Sequence, residues 1–100
     1  MEEFMKEKVI TNQILKYLKS AKECFAFKEH GGIYGVSGIP DVICCYKGKF
    51  VAFEVKTLQG KLSKLQEIMI KRINNAGGMA FKVTSLQEVK DILKGVVPEK

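Results

Sequence analysis

Several residue types are scarce in this chain of 100 residues, which has no tryptophan, one histidine (His30) and three cysteines. A single histidine and the lack of a Cys-x-x-Cys spacing argue against a structural zinc site. Cys44 and Cys45 are adjacent, so on a strand their side chains would point to opposite faces. We therefore expect Cys24, Cys44 and Cys45 to be reduced, partly buried thiols, as is usual in a reducing compartment.

Long apolar segments are also missing from the sequence. No run approaches the ~20 apolar residues that a membrane-spanning helix needs. The N-terminus lacks the basic-then-apolar pattern of a signal peptide. The length predicts one domain with a modest core, covering residues 1–100. We expect an intracellular, cytoplasmic protein with no membrane partner.

Positive charge is in excess, with a formal net charge of +6. This surplus favours a polyanionic partner such as nucleic acid, although charge alone does not establish one. Arg72 is the only arginine. Lysine contacts phosphate as a point charge, whereas paired hydrogen bonds to guanine favour arginine. We therefore expect recognition of the backbone and shape of nucleic acid more than of base sequence.

Hydrophobic periodicity predicts an α/β fold with the order α-β-β-β-α-β-α. The last strand should run parallel to the third, because a strand-helix-strand crossover is right-handed. The result is a mixed four-stranded sheet flanked by helices, with both faces covered because the central strands are almost continuously apolar. The predicted elements are a helix over 2–20, strands over 24–28, 42–46, 49–56 and 79–84, and helices following Ser63 and Ser85.

Both later helices begin with a pattern typical of a capping box. Ser63 precedes Gln66 by three residues, and Ser85 precedes Glu88 by three residues. Gly77 suits the position that follows the end of the middle helix. The apolar residues expected to face inward on the middle helix are Leu65, Ile68, Met69, Ile73 and Ala76.

The central hairpin brings two acidic residues together. Lys47-Gly48 predicts a two-residue turn, because glycine adopts positive φ readily. The resulting register pairs Tyr46 with Lys49, Cys45 with Phe50, Ile43 with Ala52, and Asp41 with Glu54. The two carboxylates would lie opposite each other with Cβ atoms about 4.5–5.5 Å apart, an arrangement that destabilises a sheet unless a cation compensates it.

Two cations could compensate this pair. Lys56 lies two positions after Glu54 and therefore on the same face of the strand. A divalent ion is the alternative, since Mg²⁺ takes hard oxygen ligands and often only one or two carboxylates. Two acids and a lysine around such an ion suit the hydrolysis of a phosphodiester.

Pro40-Asp41 followed by Glu54-Val55-Lys56 resembles the PD-(D/E)xK nuclease signature. Together with the flanking segments, the chain resembles the virus-type replication-repair nuclease (VRR-NUC) family from about Glu7 to Leu93. The segments that carry the likeness are 38–43, 53–57, 60–66 with its Ser-x-x-Gln spacing, and 77–80 with its paired glycines.

The resemblance implies a restriction-endonuclease-like fold and a deoxyribonuclease that uses Mg²⁺ or Mn²⁺. It implies catalytic roles for Asp41, Glu54, Lys56 and Gln66, with metal ligands from Asp41, Glu54, the Val55 carbonyl and Glu7. The fold is similar to that of Holliday-junction resolvases, which implies a homodimer acting on branched or junction DNA and a phage or bacterial type of protein. Flaps, nicked DNA and plain duplex stay open as substrates.

Glu7 is also indicated by the first helix itself. The apolar stripe of that helix, extended toward the N-terminus, reaches Glu7 and then Glu3. A carboxylate on an inward stripe is costly unless it is paired or binds an ion. Alternatively, Glu7 lies there because acids are favoured near a helix N-terminus.

The other candidate residues of the predicted site are Gln66, three lysines and His30. Gln66 either orients water or phosphate or serves only the capping box. Lys28, Lys61 and Lys64 are candidate phosphate contacts, the last two near helix amides that favour anions. His30 could take a proton role, but a loop histidine is more often incidental.

Two other functions remain open from the sequence. The chain could bind nucleic acid without cleaving it, as a subunit of a larger repair or replication complex, although binding alone gains nothing from paired acids. It could also be a structural α/β protein whose acids pair with lysines.

Overall fold

The computed structural model describes residues 2–30 and 35–96, with side chains from Met5 onward. Over these residues the element order is the predicted one. The elements are α1 (Glu2–Ser20), β1 (Cys24–Lys28), β2 (Val42–Tyr46), β3 (Lys49–Val55), α2 (Lys64–Asn75), β4 (Met79–Val83) and α3 (Leu86–Lys94).

The strands form one sheet in the order β1-β2-β3-β4. β1 and β3 both run antiparallel to β2, and β4 runs parallel to β3 as the crossover rule predicts. The hairpin turn has positive φ at Lys47 (49°) and Gly48 (83°), which is the backbone pattern of a type I′ turn. This turn fixes the predicted register, with Tyr46 opposite Lys49 and Ile43 opposite Ala52.

One face of the sheet, which we call the α1/α3 face, carries the main core. Its strand side chains pack beneath helices α1 and α3. Phe53 and Phe81 stack there with ring centroids 6.2 Å apart. The fully buried members of this core are Ile14, Leu18, Val42, Val51, Phe53, Val55, Val83 and Val89. Because each is removed from water, this face supplies most of the hydrophobic stabilisation.

The other face, which we call the α2 face, is covered only in part, and β1 stays open. Ile70 and Ile73 of α2 pack there against Ile43, Ala52 and Ala80. The prediction for the inward stripe of α2 was therefore wrong in part, since Leu65, Ile68 and Ala76 are exposed, while Met69 and Ile73 face inward. The helix is rotated so that the inward stripe begins at Gln66, whose side chain contacts Glu54.

Beyond the edge of α2, the same face leaves aromatic side chains in water. Phe25 is 71% exposed, Phe27 42% and Phe50 46%. Phe25 and Phe27 contact each other, with ring centroids 6.1 Å apart. The expectation that both faces would be covered is wrong here, because the 12-residue α2 does not reach as far as β1 and the Cys45 end of β2. Cys45 is exposed on this face and Cys44 is buried on the other, as their adjacency predicted.

The two helix starts differ. At α2, Ser63 and Gln66 form the complete capping box, and Gly77 follows the C-cap with φ of 97°. At α3, Ser85 accepts from the Glu88 amide, but the Glu88 carboxylate accepts from Thr84 instead of Ser85. The second capping box is thus only half formed, because Thr84 offers Glu88 both an amide and a hydroxyl.

Some expectations cannot be compared with the structure. The Glu3 side chain, residues 31–34 and residues 97–100 lie outside the described residues. Among the helices that are described, none has the length and apolar character needed to cross a bilayer.

Candidate functional site

Asp41 lies just beyond the paired end of the central hairpin. The observed ladder ends at Val42 opposite Phe53, one step short of the predicted Asp41–Glu54 pair. The Asp41 carbonyl accepts from the Glu29 amide at 2.7 Å, and its Oδ2 accepts from the Val55 amide at 2.9 Å. The Asp41 carboxylate therefore accepts the hydrogen bond of the Val55 amide, a bond that would go to a backbone carbonyl if β2 were longer.

The loop before Asp41 is held against α2 by a close approach. Gly38 has φ of 82°, which side chains rarely adopt. A Cβ at this position would lie 2.7 Å from Cγ of Leu65 and 3.0 Å from Cγ of Met69. Pro40 is buried directly before Asp41. These contacts fix where Asp41 leaves the loop and enters the sheet.

Glu54 is a carboxylate in the interior, only 2% exposed. Its Oε2 accepts from Nε2 of Gln66 at 3.2 Å and lies 3.8 Å from Nζ of Lys56. Its Oε1 is buried, and no partner for it is found among the described residues. An unpaired buried carboxylate oxygen is costly, so this atom marks a place for a proton or a cation.

The electrostatics around Glu54 are consistent with that reading. Burial, the charge of the neighbouring Asp41 carboxylate and a hydrogen bond between the two carboxyl groups together raise the pKa of Glu54 to about 8. Lys56 opposes this rise, and the charge of Glu7 adds to it. Lys56 therefore lowers the pKa of Glu54 by less than burial and the Asp41 charge raise it. Ionised Glu54 would be stabilised by a further positive charge at this place.

Gln66 uses both ends of its amide. Its Oε1 accepts from the Ser63 amide at 2.8 Å, and its Nε2 donates to Glu54. Its backbone amide donates to Oγ of Ser63 at 3.1 Å. The capping box predicted from the sequence is thus present, and it orients the amide that donates to Glu54.

Glu7 lies on the inward side of α1. Thr11, one turn later, is buried and donates from its hydroxyl to the Glu7 carbonyl at 2.8 Å. Ile14 and Leu18 continue the same stripe with 0% exposure. Glu7 is half-buried, and its charge is close enough to Glu54 to raise the pKa of that carboxyl.

The donor set suits a hard cation of few protein ligands. Within the part of the chain that the structure describes, no three His, Cys, Asp or Glu side chains form a metal-binding group. Two carboxylates remain, one with an unpartnered buried oxygen. The Val55 carbonyl adds a third oxygen, because the N–H and C=O of a strand residue face the same neighbour and the Val55 amide faces Asp41. Mg²⁺ commonly binds one or two carboxylates and keeps several waters.

The lysines divide between the two faces of the sheet. Lys28 pairs with Val42 and therefore leaves the sheet on the α1/α3 side, away from Glu54. Lys61 and Lys64 are exposed beside the start of α2. Sequence reasoning missed Lys82, which is exposed and pairs with Glu54 across the parallel ladder. Only the register of β4 against β3 reveals that position.

The fold was compared with known proteins. No family model matches the chain, and no curated protein matches its sequence. One similar solved structure is described as a VRR_NUC domain, with a TM-score of 0.76, 21% identity, and coverage of 92% of this chain and 98% of that one. A second, a VRR_NUC domain protein, has a TM-score of 0.70, 17% identity, and coverage of 88% and 84%. The chain therefore has the fold of VRR-NUC domains.

Proposed function

From this shared fold, we propose that the chain is a metal-dependent endonuclease that hydrolyses DNA phosphodiester bonds, with Mg²⁺ or Mn²⁺ as its ion. The observation that carries the proposal is the buried Oε1 of Glu54, for which the described residues offer no donor, next to the Asp41 carboxylate. Evidence for a cation at that place is chemical, since neither stability nor simple binding of DNA benefits from paired acids in an interior.

Asp41, Glu54 and the Val55 carbonyl would hold the ion, and Glu7 would contribute from α1. Oδ2 of Asp41 already accepts from the Val55 amide, so the other oxygen of this carboxylate is the proposed ligand. When bound, such an ion neutralises phosphate charge and lowers the pKa of its bound water. The end of β3 and the start of α2 would hold these ligands in position.

Lys56 would stabilise the negative charge that develops on the phosphate. Its amide donates to the Val83 carbonyl at 2.9 Å, which ties its backbone to β4. Its side chain is 15% exposed, so the ammonium is partly desolvated and aimed at the Glu54 side of the sheet. Gln66 would act as a positioning residue, since both ends of its amide are already engaged.

DNA would be held mainly through its backbone. Lys61 and Lys64 lie next to the N-terminus of α2, where an anion is favoured. Lys28 would contact phosphate from the other side of the sheet end. We propose branched or junction DNA as the preferred substrate.

A homodimer is the proposed assembly. The exposed patch of Phe25, Phe27, Cys45 and Phe50 is uncharged, on a chain with net charge of +6. In a two-fold dimer a surface meets itself, so an uncharged apolar patch can pair where the rest of the surface would repel. Sedimentation velocity should give twice the monomer mass, and Phe25→Glu should give the monomer. A monomeric wild type at micromolar concentration would reject the assembly.

The direct test is cleavage of labelled junction, flap and duplex DNA with Mg²⁺ and with EDTA. The wild type should cut only with the ion, and Asp41→Asn and Lys56→Ala should reduce the rate by roughly 100-fold or more. Titration calorimetry with Mn²⁺ should show binding to the wild type and weaker binding to Asp41→Asn. Wild-type rates in either variant would refute the residue assignment.

The second candidate function is a DNA-binding module without cleavage. Its support is the net charge of +6 together with the lysines beside α2. DNA binding that is equal with Mg²⁺ and with EDTA, and no strand cuts in either, would favour this alternative.

A further inference from the structure

A hollow beside the candidate site has no role in the chemistry described so far. It has a volume of about 630 Å³ and lies between α1, the turn after β3 and the end of β4. Its lining is mostly apolar. The residues that line it include Met5, Val9, Ile10, Gln13, Leu58 and Gln59.

The hollow opens directly next to the residues assigned to chemistry. Met5 and Lys6 line it from α1, and Lys6 immediately precedes Glu7 in the sequence. Thr57 lines it from the other side and directly follows Lys56. A nucleotide next to a phosphate held at Glu54 and Lys56 would therefore lie within reach of this hollow.

Leu58 projects at the rim of the hollow. It is 84% exposed and occupies a β-turn closed by the Gly60 amide, which donates to the Thr57 carbonyl at 3.0 Å. The turn is tight, since a Cβ at Gly60 would lie 3.2 Å from Cβ of Lys56. Met5 and Val9 are also unusually exposed, at 62% and 56%. An apolar cluster of this kind marks a binding surface more often than a single exposed residue does.

A continuous duplex cannot fill such a hollow, because its bases are stacked inside and it presents sugar and phosphate. Bases that leave the stack are held between apolar or aromatic side chains, and apolar wedges such as leucine hold base steps open. Unstacking costs a few kcal/mol in a duplex and least where a base is already unpaired.

We propose that this hollow receives one unstacked base of the DNA substrate, with Leu58 as the wedge that keeps it out of the helix. The proposal rests on the proposed DNA-cleaving function and gives it a physical source of preference for branched DNA. The amide side chains of Gln13 and Gln59 offer donors and acceptors to the base edge, and exposed Lys6 offers a charge to its phosphate.

The test uses 2-aminopurine, a base whose fluorescence rises when it leaves the stack, at each nucleotide flanking the branch of a three-way DNA. Asp41→Asn protein, which should bind without cutting, is added with Mg²⁺. Fluorescence should rise at one flanking position and much less in the continuous duplex. The added Leu58→Ser substitution should remove this rise, whereas Ile68→Ser, which changes an exposed apolar residue outside the hollow, should keep it.

In cleavage assays, Leu58→Ser alone should lower the preference for branched over duplex DNA by about tenfold, whereas Ile68→Ser should keep the wild-type preference. Fluorescence that is equal with and without the Leu58→Ser substitution at matched DNA occupancy, measured by anisotropy, would overturn the proposal. A wild type that never cuts DNA would instead reject the nuclease function, while the fluorescence still decides the fate of the base. Absence of DNA binding by the full chain would reject both.

Discussion

The two faces of the sheet differ in what they bury, which is an apolar core on one and a carboxylate on the other. On the α1/α3 face, Phe53 and Val55 are fully buried in an apolar core. Between them in sequence, Glu54 points to the α2 face and is almost as buried, at 2% exposed. Burial of Phe53 and Val55 stabilises the fold, whereas burial of Glu54 costs free energy and prepares it to bind a proton or a cation. Neighbouring residues of β3 thus have opposite effects on stability, since Phe53 and Val55 stabilise the fold and Glu54 is buried at a cost.

The largest expected effect concerns the core side of this comparison. Phe53→Ala should lower the free energy of unfolding by about 3–5 kcal/mol, because it leaves a cavity beneath α1 and α3. Ile68→Ala, at a half-exposed position of α2 outside the proposed dimer patch, is the control and should cost roughly 1 kcal/mol or less. Urea denaturation of both variants checks this difference. Equal losses would contradict the assignment of most of the stability to the α1/α3 face.

A smaller change in the free energy of unfolding is expected when pH is varied, because Glu54 lies buried on the α2 face. The pKa of Glu54 rises from 4.5 to about 8 on folding, so between these values the folded chain holds a proton that the unfolded chain has lost. Stability of the metal-free protein should therefore fall as pH rises through this window, by on the order of 2 kcal/mol, and level off above it. Glu54→Gln should remove this fall. Thermal denaturation from pH 5 to pH 9 measures it.

The control for the pH experiment is Glu67→Gln, which alters an exposed carboxylate of α2. Its pH profile should match that of the wild type. Added Mg²⁺ should restore stability at pH 8 in the wild type and much less in Glu54→Gln. Identical slopes in the wild type and Glu54→Gln would contradict the assignment of the buried proton to Glu54.

The smallest expected effect separates helix capping from the site. Gln66→Ala and Ser63→Ala should each cost about 1 kcal/mol of stability, because each removes half of the capping box. Only Gln66→Ala also removes the donor to Glu54, so it should slow DNA cleavage by roughly tenfold with a KM close to that of the wild type. A slower rate in Ser63→Ala of equal size would mean that the helix start, and not the Glu54 contact, matters.

Local signals explain why much of the fold was predictable. The type I′ turn at Lys47-Gly48 set the register of the hairpin, and the Ser63–Gln66 spacing set the start of α2. The alternation of side chains then placed Glu54 and Lys56 together, where they form an ion pair of 3.8 Å.

Other features depend on long-range packing, which spacing does not encode. The rotation of α2 left Leu65 and Ile68 in water, although their periodicity suggested burial. The reach of α2 over the sheet left Phe25 exposed on β1, and the parallel register of β4 brought Lys82 beside Glu54. Each follows from how elements meet in space, so none could be read from one segment alone.

The bond between Asp41 and Val55 has a practical consequence for anyone who wishes to silence this protein. One oxygen of the carboxylate accepts from the Val55 amide at the end of β3, and the other is the oxygen proposed above as a cation ligand. Asparagine can keep the first contact while discarding charge, whereas alanine would also unfasten the strand end. Inert versions intended for trapping complexes should therefore carry the amide, so that a lost activity is not confused with a loosened sheet.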